Sequence, residues 1–366
     1  MNFHKLARQM QAGVDMLRRP NKVPAMPYYF VVGTTTACAL NCIMCSRASV
    51  ITKASRLGFA EYKQLIDTIQ PPRVSVGDLG ESLFDPDLDR KIRYAKEKGA
   101  AIDVTTSYVI SNLPPRALVE CGLDLLKVSI DGATAETYEA IRGQPYFETA
   151  LEHTRELIEL RKELGSRTPY VHLQFVIQRR NYKEIVDYVP LAAEIGVDGI
   201  DYRPVLLDVA LEGREMLIGD MVAAEEVYSL LQEADRLART LQIRTNARVL
   251  TRSTLQHHWA IYDGAKSKPR DLRRCMLPWY STYVAADGGV YGCCFLRFRD
   301  DGLLGNICEI DFTSIWNSEA YKEFRSKMRA GHSPFRACYS CYPRSLADTF
   351  KYLSTTPKLR LPMPRR

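Results

Sequence analysis

The chain has 366 residues, 46% of them apolar, with 50 basic against 43 acidic residues for a net charge of +7; that is enough apolar material for a substantial core plus a smaller second module. It contains no run of about 18 apolar residues, which excludes a membrane-spanning helix, and its basic N-terminus lacks the apolar stretch and small-residue cleavage site of a signal peptide. A cytoplasmic location with no membrane partner is therefore expected, and the mild basic excess suits an anionic cofactor or substrate without indicating nucleic acid.

Phe3, Leu6, Ala7, Met10, Val14 and Leu17 fall on one helical face with basic residues opposite, so residues 1–25 are expected to form an amphipathic helix packed over one end of the domain. A membrane-surface role is the alternative. From residue 28 onward, short strand-like runs alternate with helical stretches. The expected strands are 28–35, 74–77, 101–107, 125–131, 171–178 and 200–205, with helices such as 60–69, 88–98 and 182–195 between several of them. That order implies parallel strands joined by right-handed crossovers, hence an α/β barrel or an open doubly wound sheet. Parity within the strands adds to this. Leu126, Val128 and Ile130 alternate with Lys127, Ser129 and Asp131, and Val171, Leu173, Phe175 and Ile177 alternate with His172, Gln174 and Gln178. One face of each strand is polar, as if it lined something wet or ligand-filled.

Ten cysteines without an export signal point to metal ligation rather than disulfides. Cys38, Cys42 and Cys45 follow the first strand in a C-x3-C-x2-C spacing. Three thiolates from one loop can hold three irons of a 4Fe-4S cube and leave the fourth open to an external chelate. Zinc usually takes four closed ligands, and no fourth lies nearby. A second group comprises Cys275, Cys293, Cys338 and Cys341. Runs 280–286 and 290–295 read as strands joined through Asp287-Gly288, a favoured hairpin turn, which carries Cys293 back toward Cys275. These four thiolates suit a zinc ion or a fully ligated cube equally well.

The first cysteine loop resembles the signature of the radical S-adenosylmethionine superfamily. Gly80-Glu81-Ser82 is similar to that family's Gly-Glu-Pro segment, Thr105-Thr106-Ser107 to its Thr-Asn-Gly turn, and Ser129-Ile130-Asp131-Gly132 with Arg142 to its Ser-x-Asp-Gly segment. The resemblance implies a partial (β/α)6 barrel, a 4Fe-4S cluster on Cys38, Cys42 and Cys45, and S-adenosyl-L-methionine held by Met44, Gly80, Glu81, Ser107, Ser129 and Arg142. Glu81 would accept a hydrogen bond from the methionyl ammonium. The second cysteine group, with Gly288-x4-Cys293, Leu304-Gly305-Asn306-Ile307, Ile315-Trp316-Asn317 and the closing CxxC, resembles the auxiliary-cluster module of the SPASM and twitch subfamily. No cysteine follows Cys341, which makes the module similar to the twitch type with one auxiliary cluster. Cys294 or Cys308 could replace an assigned ligand. The resemblance implies an external electron donor such as flavodoxin or ferredoxin.

The expected organisation is a helix at 1–25, a catalytic domain at 26–245, a linker or lid at 246–274, an auxiliary-cluster domain with a β-hairpin at 275–350 and a basic tail at 351–366. The expected reaction is oxidation of a small polar substrate resembling a sugar or aminocyclitol, with the auxiliary cluster accepting an electron. Epimerisation of a sugar and maturation of a ribosomally made peptide are the rivals, and a zinc-stabilised binding protein is the non-enzymatic alternative. Candidate catalytic side chains are Arg203, His172 and the leftover thiol Cys294.

Overall fold

A computed structural model describes residues 3–205, 224–260, 272–298, 302–333, 335 and 338. Seven strands lie side by side in sequence order, all parallel: β1 (Tyr29–Val32), β2 (Arg73–Val76), β3 (Ala101–Thr106), β4 (Leu125–Ser129), β5 (Tyr170–Ile177), β6 (Gly199–Pro204) and β7 (Arg244–Thr245). Right-handed crossovers between sequential neighbours put every connecting helix on the same face. The sheet thus has a helix-covered outside and its own inner face, which decides for a barrel over a doubly wound sheet. Its edge strands do not pair with each other, so the barrel is partial.

All six expected strands form, shifted or trimmed by at most three residues. Their outer faces carry Phe30, Val32, Val74, Val76, Ile102, Val104, Leu126, Val128, Leu173, Phe175 and Ile200, all essentially without exposure. At about 1.5–3 kcal/mol for each fully buried large apolar side chain, this layer under the helices is the main source of stability. The expected helix over 182–195 is broken into a 3-10 turn, Tyr182–Ile185, and a helix, Tyr188–Ile195. Pro190 would clash with the carbonyl four residues earlier in a continuous helix.

The C-terminal hairpin forms through Asp287-Gly288 as expected, and Gly288 has the positive φ of +85° that its turn needs. It also extends the barrel sheet. β8 (Ser281–Val284) pairs parallel with β1, β9 (Gly289–Tyr291) antiparallel with β8, and β10 (Leu303–Asn306) antiparallel with β9. Residues expected to be linker include a helix, Arg252–Ala260. The expected basic tail lies outside the described residues.

Helix α1 (Phe3–Arg18) is present but turned around. Ala12 and Asp15 are buried, whereas Met10, Val14 and Leu17 of the apolar stripe are 66%, 36% and 70% exposed. Polar anchors explain the inversion. Arg8 donates to the carbonyls of Gln70 (2.8 Å) and Ile69 (2.6 Å), which cap the end of the helix Phe59–Ile69, and buried Asp15 lies within electrostatic reach of the buried Arg325 guanidinium. Orphan C-terminal carbonyls of a helix are strong acceptors for arginine.

Candidate active site

The first cysteine loop leaves the C-terminal end of β1 and is pinned at its base. Thr36 N–H donates to Ser55 O (3.0 Å), Ser55 N–H to Thr36 Oγ1 (2.8 Å) and Leu57 N–H to Thr34 O (3.0 Å). Cys38, Cys42 and Cys45 stand half-buried on the excursion, at the end of the barrel where parallel strands present their sites. Ile43 N–H donates to Ile141 O (3.0 Å), docking the loop on the helix Ala135–Arg142. Gly80 explains itself by close approach. A Cβ there would lie 2.1 Å from Thr35 O, so only glycine lets the segment after β2 press against the loop. Glu81 N–H then donates to Ala37 O (2.7 Å).

The Glu81 carboxylate is buried and accepts four hydrogen bonds: from Leu83 N–H (3.0 Å), Thr106 Oγ1 (2.6 Å), Ser107 N–H (2.7 Å) and Ser107 Oγ (2.5 Å). Those four fill the acceptor capacity of a carboxylate, so a ligand ammonium would have to displace one of them. Ser107 is therefore tied to Glu81, and Ser129 is buried at the end of β4.

Arg142 lies against the loop. Its Nη1 donates to Cys42 Sγ (3.6 Å) and its Nη2 forms an ion pair with Asp131 (2.5 Å), which is itself fully buried. A guanidinium at this place is the partner that a ligating thiolate needs. Burial pushes the Cys38 and Cys45 thiols up, so ligation has to displace their protons. The donor set fits an iron-sulfur cluster. Among the described residues no three His, Cys, Asp or Glu side chains converge to hold a single ion, whereas a cube attaches each thiolate to a different iron. Arg142 Nε and the Oε1 of fully buried Gln178 have no partner, and Gln178 Nε2 is 4.0 Å from the Met44 sulfur. An orphan donor and an orphan acceptor beside the loop are groups that a polar cofactor would satisfy.

Replacing Arg142 by Met should cost about 3–5 kcal/mol, because it strands a buried carboxylate. Denaturation of the metal-free chain should show that loss, and Asp131→Asn added to Arg142→Met should recover much of it; additive losses would disprove the coupling.

Below the loop, the inner face carries a charged floor. Asp103 accepts from Ser75 Oγ (2.6 Å) and Lys127 Nζ (2.5 Å) and pairs with Arg73 (3.1 Å). Burial opposes its charge, but Lys127 and Arg73 outweigh that and hold it below the usual carboxylate range. His172 sits in this floor beside Lys127 and Gly199 in register. A Cβ on Gly199 would lie 2.8 Å from its Nε2, so the glycine makes room for the ring. Burial pushes His172 down to about 4, and its Nε2 has no partner. A His depressed below its unfolded value costs stability as pH falls, because only the unfolded chain takes up the proton. The depression predicts a loss of about 2 kcal/mol between about pH 7 and about pH 5 that His172→Gln abolishes. Denaturation midpoints at the two pH values would measure it, and an unchanged slope in the variant would refute it.

One layer toward the cysteine loop the inner face opens. Thr105, Gln174 and Arg203 are half-buried there. Arg203 Nε and Nη2 donate to Asp201 Oδ2 (3.0 and 2.6 Å), and Asn246 Nδ2 donates to Asp201 Oδ1 (2.6 Å). Cys294 starts the 3-10 turn Cys294–Phe298 after β9, within electrostatic reach of Arg203 and Asp78. Its side chain is exposed. The structure thus puts Cys294 within electrostatic reach of Arg203 and leaves His172 lower on the inner face. Sequence reading missed Asp78 and Tyr283, which face each other through the β1–β8 pairing; burial raises both, and Asp78 fills the space left by the absent Cβ of Gly33. No local motif marks a pair so far apart in sequence.

Of the cysteines expected to hold an auxiliary cluster, Cys275, Cys293 and Cys338 lie on segments that border the helix Glu319–Ala330. Gly292, next to Cys293, packs on Phe324; Phe324 meets Phe335 at 5.0 Å between ring centroids; and Phe335 O accepts from Cys338 N–H (3.2 Å). Arg273, two residues before Cys275, lies near Gly331 at the end of the same helix. Cys275, Cys293 and Cys338 are half-buried, while Cys308 is exposed beside the Gly288 turn. Cys341 lies outside the described residues.

Two families match. Residues 32–192 match the radical SAM superfamily and residues 275–342 the SPASM iron-sulfur cluster-binding domain. An AdoMet-dependent heme synthase of Methanosarcina barkeri is 27% identical over 344 residues, covering 88% of this chain and 93% of that protein. Mycofactocin maturase MftC of Mycobacterium tuberculosis is 26% identical over 342 residues, covering 92% and 78%. PqqA peptide cyclase of Gluconobacter oxydans is 24% identical over 313 residues, covering 83% and 80%. Among solved structures, Streptococcus suis SuiB bound to S-adenosylmethionine shares the fold with a TM-score of 0.62 at 14% identity, over 89% of this chain and 74% of that one.

Proposed function

The chain is a radical S-adenosylmethionine enzyme of the SPASM subfamily, with a 4Fe-4S cluster and S-adenosylmethionine as cofactors and further iron-sulfur in its C-terminal module, and from that premise we propose that it is a maturase acting on a peptide. The observation that carries this reading is likeness over 92% and 83% of the chain to a mycofactocin maturase and a peptide cyclase. The expected sugar or aminocyclitol substrate gains no support from these relatives. The open edge of the partial barrel supports the peptide reading, since an extended chain needs a route in and out that a closed barrel denies.

When bound, the cofactors supply a 5′-deoxyadenosyl radical that removes a hydrogen atom from substrate. The chain's own residues hold and orient. Cys38, Cys42 and Cys45 would ligate the first cluster, with Met44, Gly80, Glu81, Ser107, Ser129 and Arg142 around the cofactor. Cys275, Cys293, Cys338 and Cys341 would ligate one auxiliary cluster; Cys293 is preferred over Cys294 because it lies on the Phe324 side with Cys338, while Cys294 lies toward Arg203. Arg203, held by Asp201, would bind an anionic group of the substrate, and Cys294 stands beside it. His172 is neutral at physiological pH and shapes the floor. A flavodoxin or ferredoxin would supply the electron.

The test is anaerobic turnover of the reconstituted enzyme with S-adenosylmethionine, reductant and short peptides encoded beside its gene. A mass change in one peptide, matched by 5′-deoxyadenosine, is the expected result. Conversion of a heme precursor with every peptide untouched would move the enzyme to the branch of its heme-synthase relative.

A further inference from the structure

The outward apolar stripe of α1 has no role in the chemistry above. A helix that packs through Arg8, Ala12 and Asp15 leaves Ala7, Met10, Val14 and Leu17 facing away from the body. Exposed apolar side chains scattered singly need no explanation, but four on one face of one helix form a directed patch.

Charge is concentrated at the same place. Residues 1–22 contain Lys5, Arg8, Arg18, Arg19 and Lys22 against Asp15 alone, a net +4 out of the chain's +7. The fold adds more. Arg19 Nη1 donates to Arg273 O, Arg329 Nη1 donates to Arg19 O (3.4 Å), and Arg18, Lys22, Arg273 and Arg329 are all exposed. A cationic collar therefore surrounds the C-terminal end of the stripe. The location matters as well: Arg8 is clamped just before β2 begins, so α1 covers the end of the barrel opposite the cysteine loop.

We propose that this face docks the enzyme on an anionic lipid bilayer surface. A convex helix with an apolar stripe suits a flat interface, whereas a partner helix would need a groove to lie in. Two copies meeting through this face would bring two cationic collars together, which disfavours self-association. Apolar contact from so few side chains gives only marginal, reversible attachment, and the cations provide the second signal that stable attachment needs. Docked in this way, the enzyme keeps its cysteine-loop end directed away from the lipid and open to substrate.

The experiment is flotation of the reconstituted full-length enzyme with vesicles of phosphatidylcholine containing about one-third phosphatidylglycerol, against phosphatidylcholine alone. Retention on the anionic vesicles at low salt, lost as salt rises, is expected. Met10→Glu with Leu17→Glu should weaken partitioning by about tenfold or more, and Arg18→Glu with Lys22→Glu should do the same and flatten the salt dependence. All four residues are exposed, and unchanged iron content would confirm that the variants fold. No retention on anionic vesicles, retention unaffected by both double variants, or a homodimer that Met10→Glu with Leu17→Glu dissolves would each overturn the proposal.

Discussion

Cys42→Ala is expected to abolish formation of 5′-deoxyadenosine and to remove about half of the roughly eight irons per chain that two cubes would bring. Its sulfur is where the loop meets Arg142, so the variant removes an expected ligand and leaves Arg142 Nη1 without its sulfur acceptor, while Nη2 keeps its ion pair with Asp131. Cys38→Ala and Cys45→Ala should behave alike, since all three thiolates come from one pinned excursion and no other described cysteine lies on it. Cys121→Ala is the control. That thiol is buried and donates to Leu118 O (3.4 Å) on its own short helix, away from the loop, and its variant should keep full iron. Iron, sulfide and zinc analysis after anaerobic reconstitution gives the readout. Normal 5′-deoxyadenosine from the Cys42 variant, or zinc in place of iron in the parent protein, would defeat the assignment.

The residues proposed to carry the reaction were legible in sequence because they are local. Cys38, Cys42 and Cys45 sit on one loop, Gly80-Glu81 on another, and the alternation in β4 and β5 marks which face is polar. The same alternation explains the inner floor, where Asp103, Lys127 and His172 meet across neighbouring strands. What the sequence hid depends on register and on polar anchoring. β7 has two residues and no period to detect. Asp78 meets Tyr283 only because β8 returns to pair with β1. The orientation of α1 was misread for a physical reason: helical spacing shows that one face is apolar but not that this face turns inward, and here Arg8 and Asp15 fix the opposite face against the body. Periodicity reports amphipathicity, while burial is decided by the partners available.

Cys338→Ala should separate the two halves of the chemistry, retaining the iron of the first loop and cleavage of S-adenosylmethionine while losing the modified product. The argument begins from independence of packing. Cys338 hangs from Phe335, which rests on Phe324 of the helix Glu319–Ala330, and that helix is anchored by the fully buried Arg325 donating to Pro278 O (2.9 Å) and standing over Trp316. None of these contacts involves the first cysteine loop, Arg142 or Glu81. The variant should therefore leave the pinned loop, its arginine and the carboxylate network intact. It should lose only the iron of the auxiliary site, about four per chain if that site is a cube. Cys294→Ala gives the contrasting case. That thiol lies toward Arg203 and Asp78 rather than Phe324, so its removal should keep all the iron and change only turnover. Iron content sorts the two variants before any product is assayed. If Cys294→Ala lost iron while Cys293→Ala kept it, the ligand assignment would be reversed. If Cys338→Ala eliminated 5′-deoxyadenosine along with product, the two cysteine groups would not act as separate units.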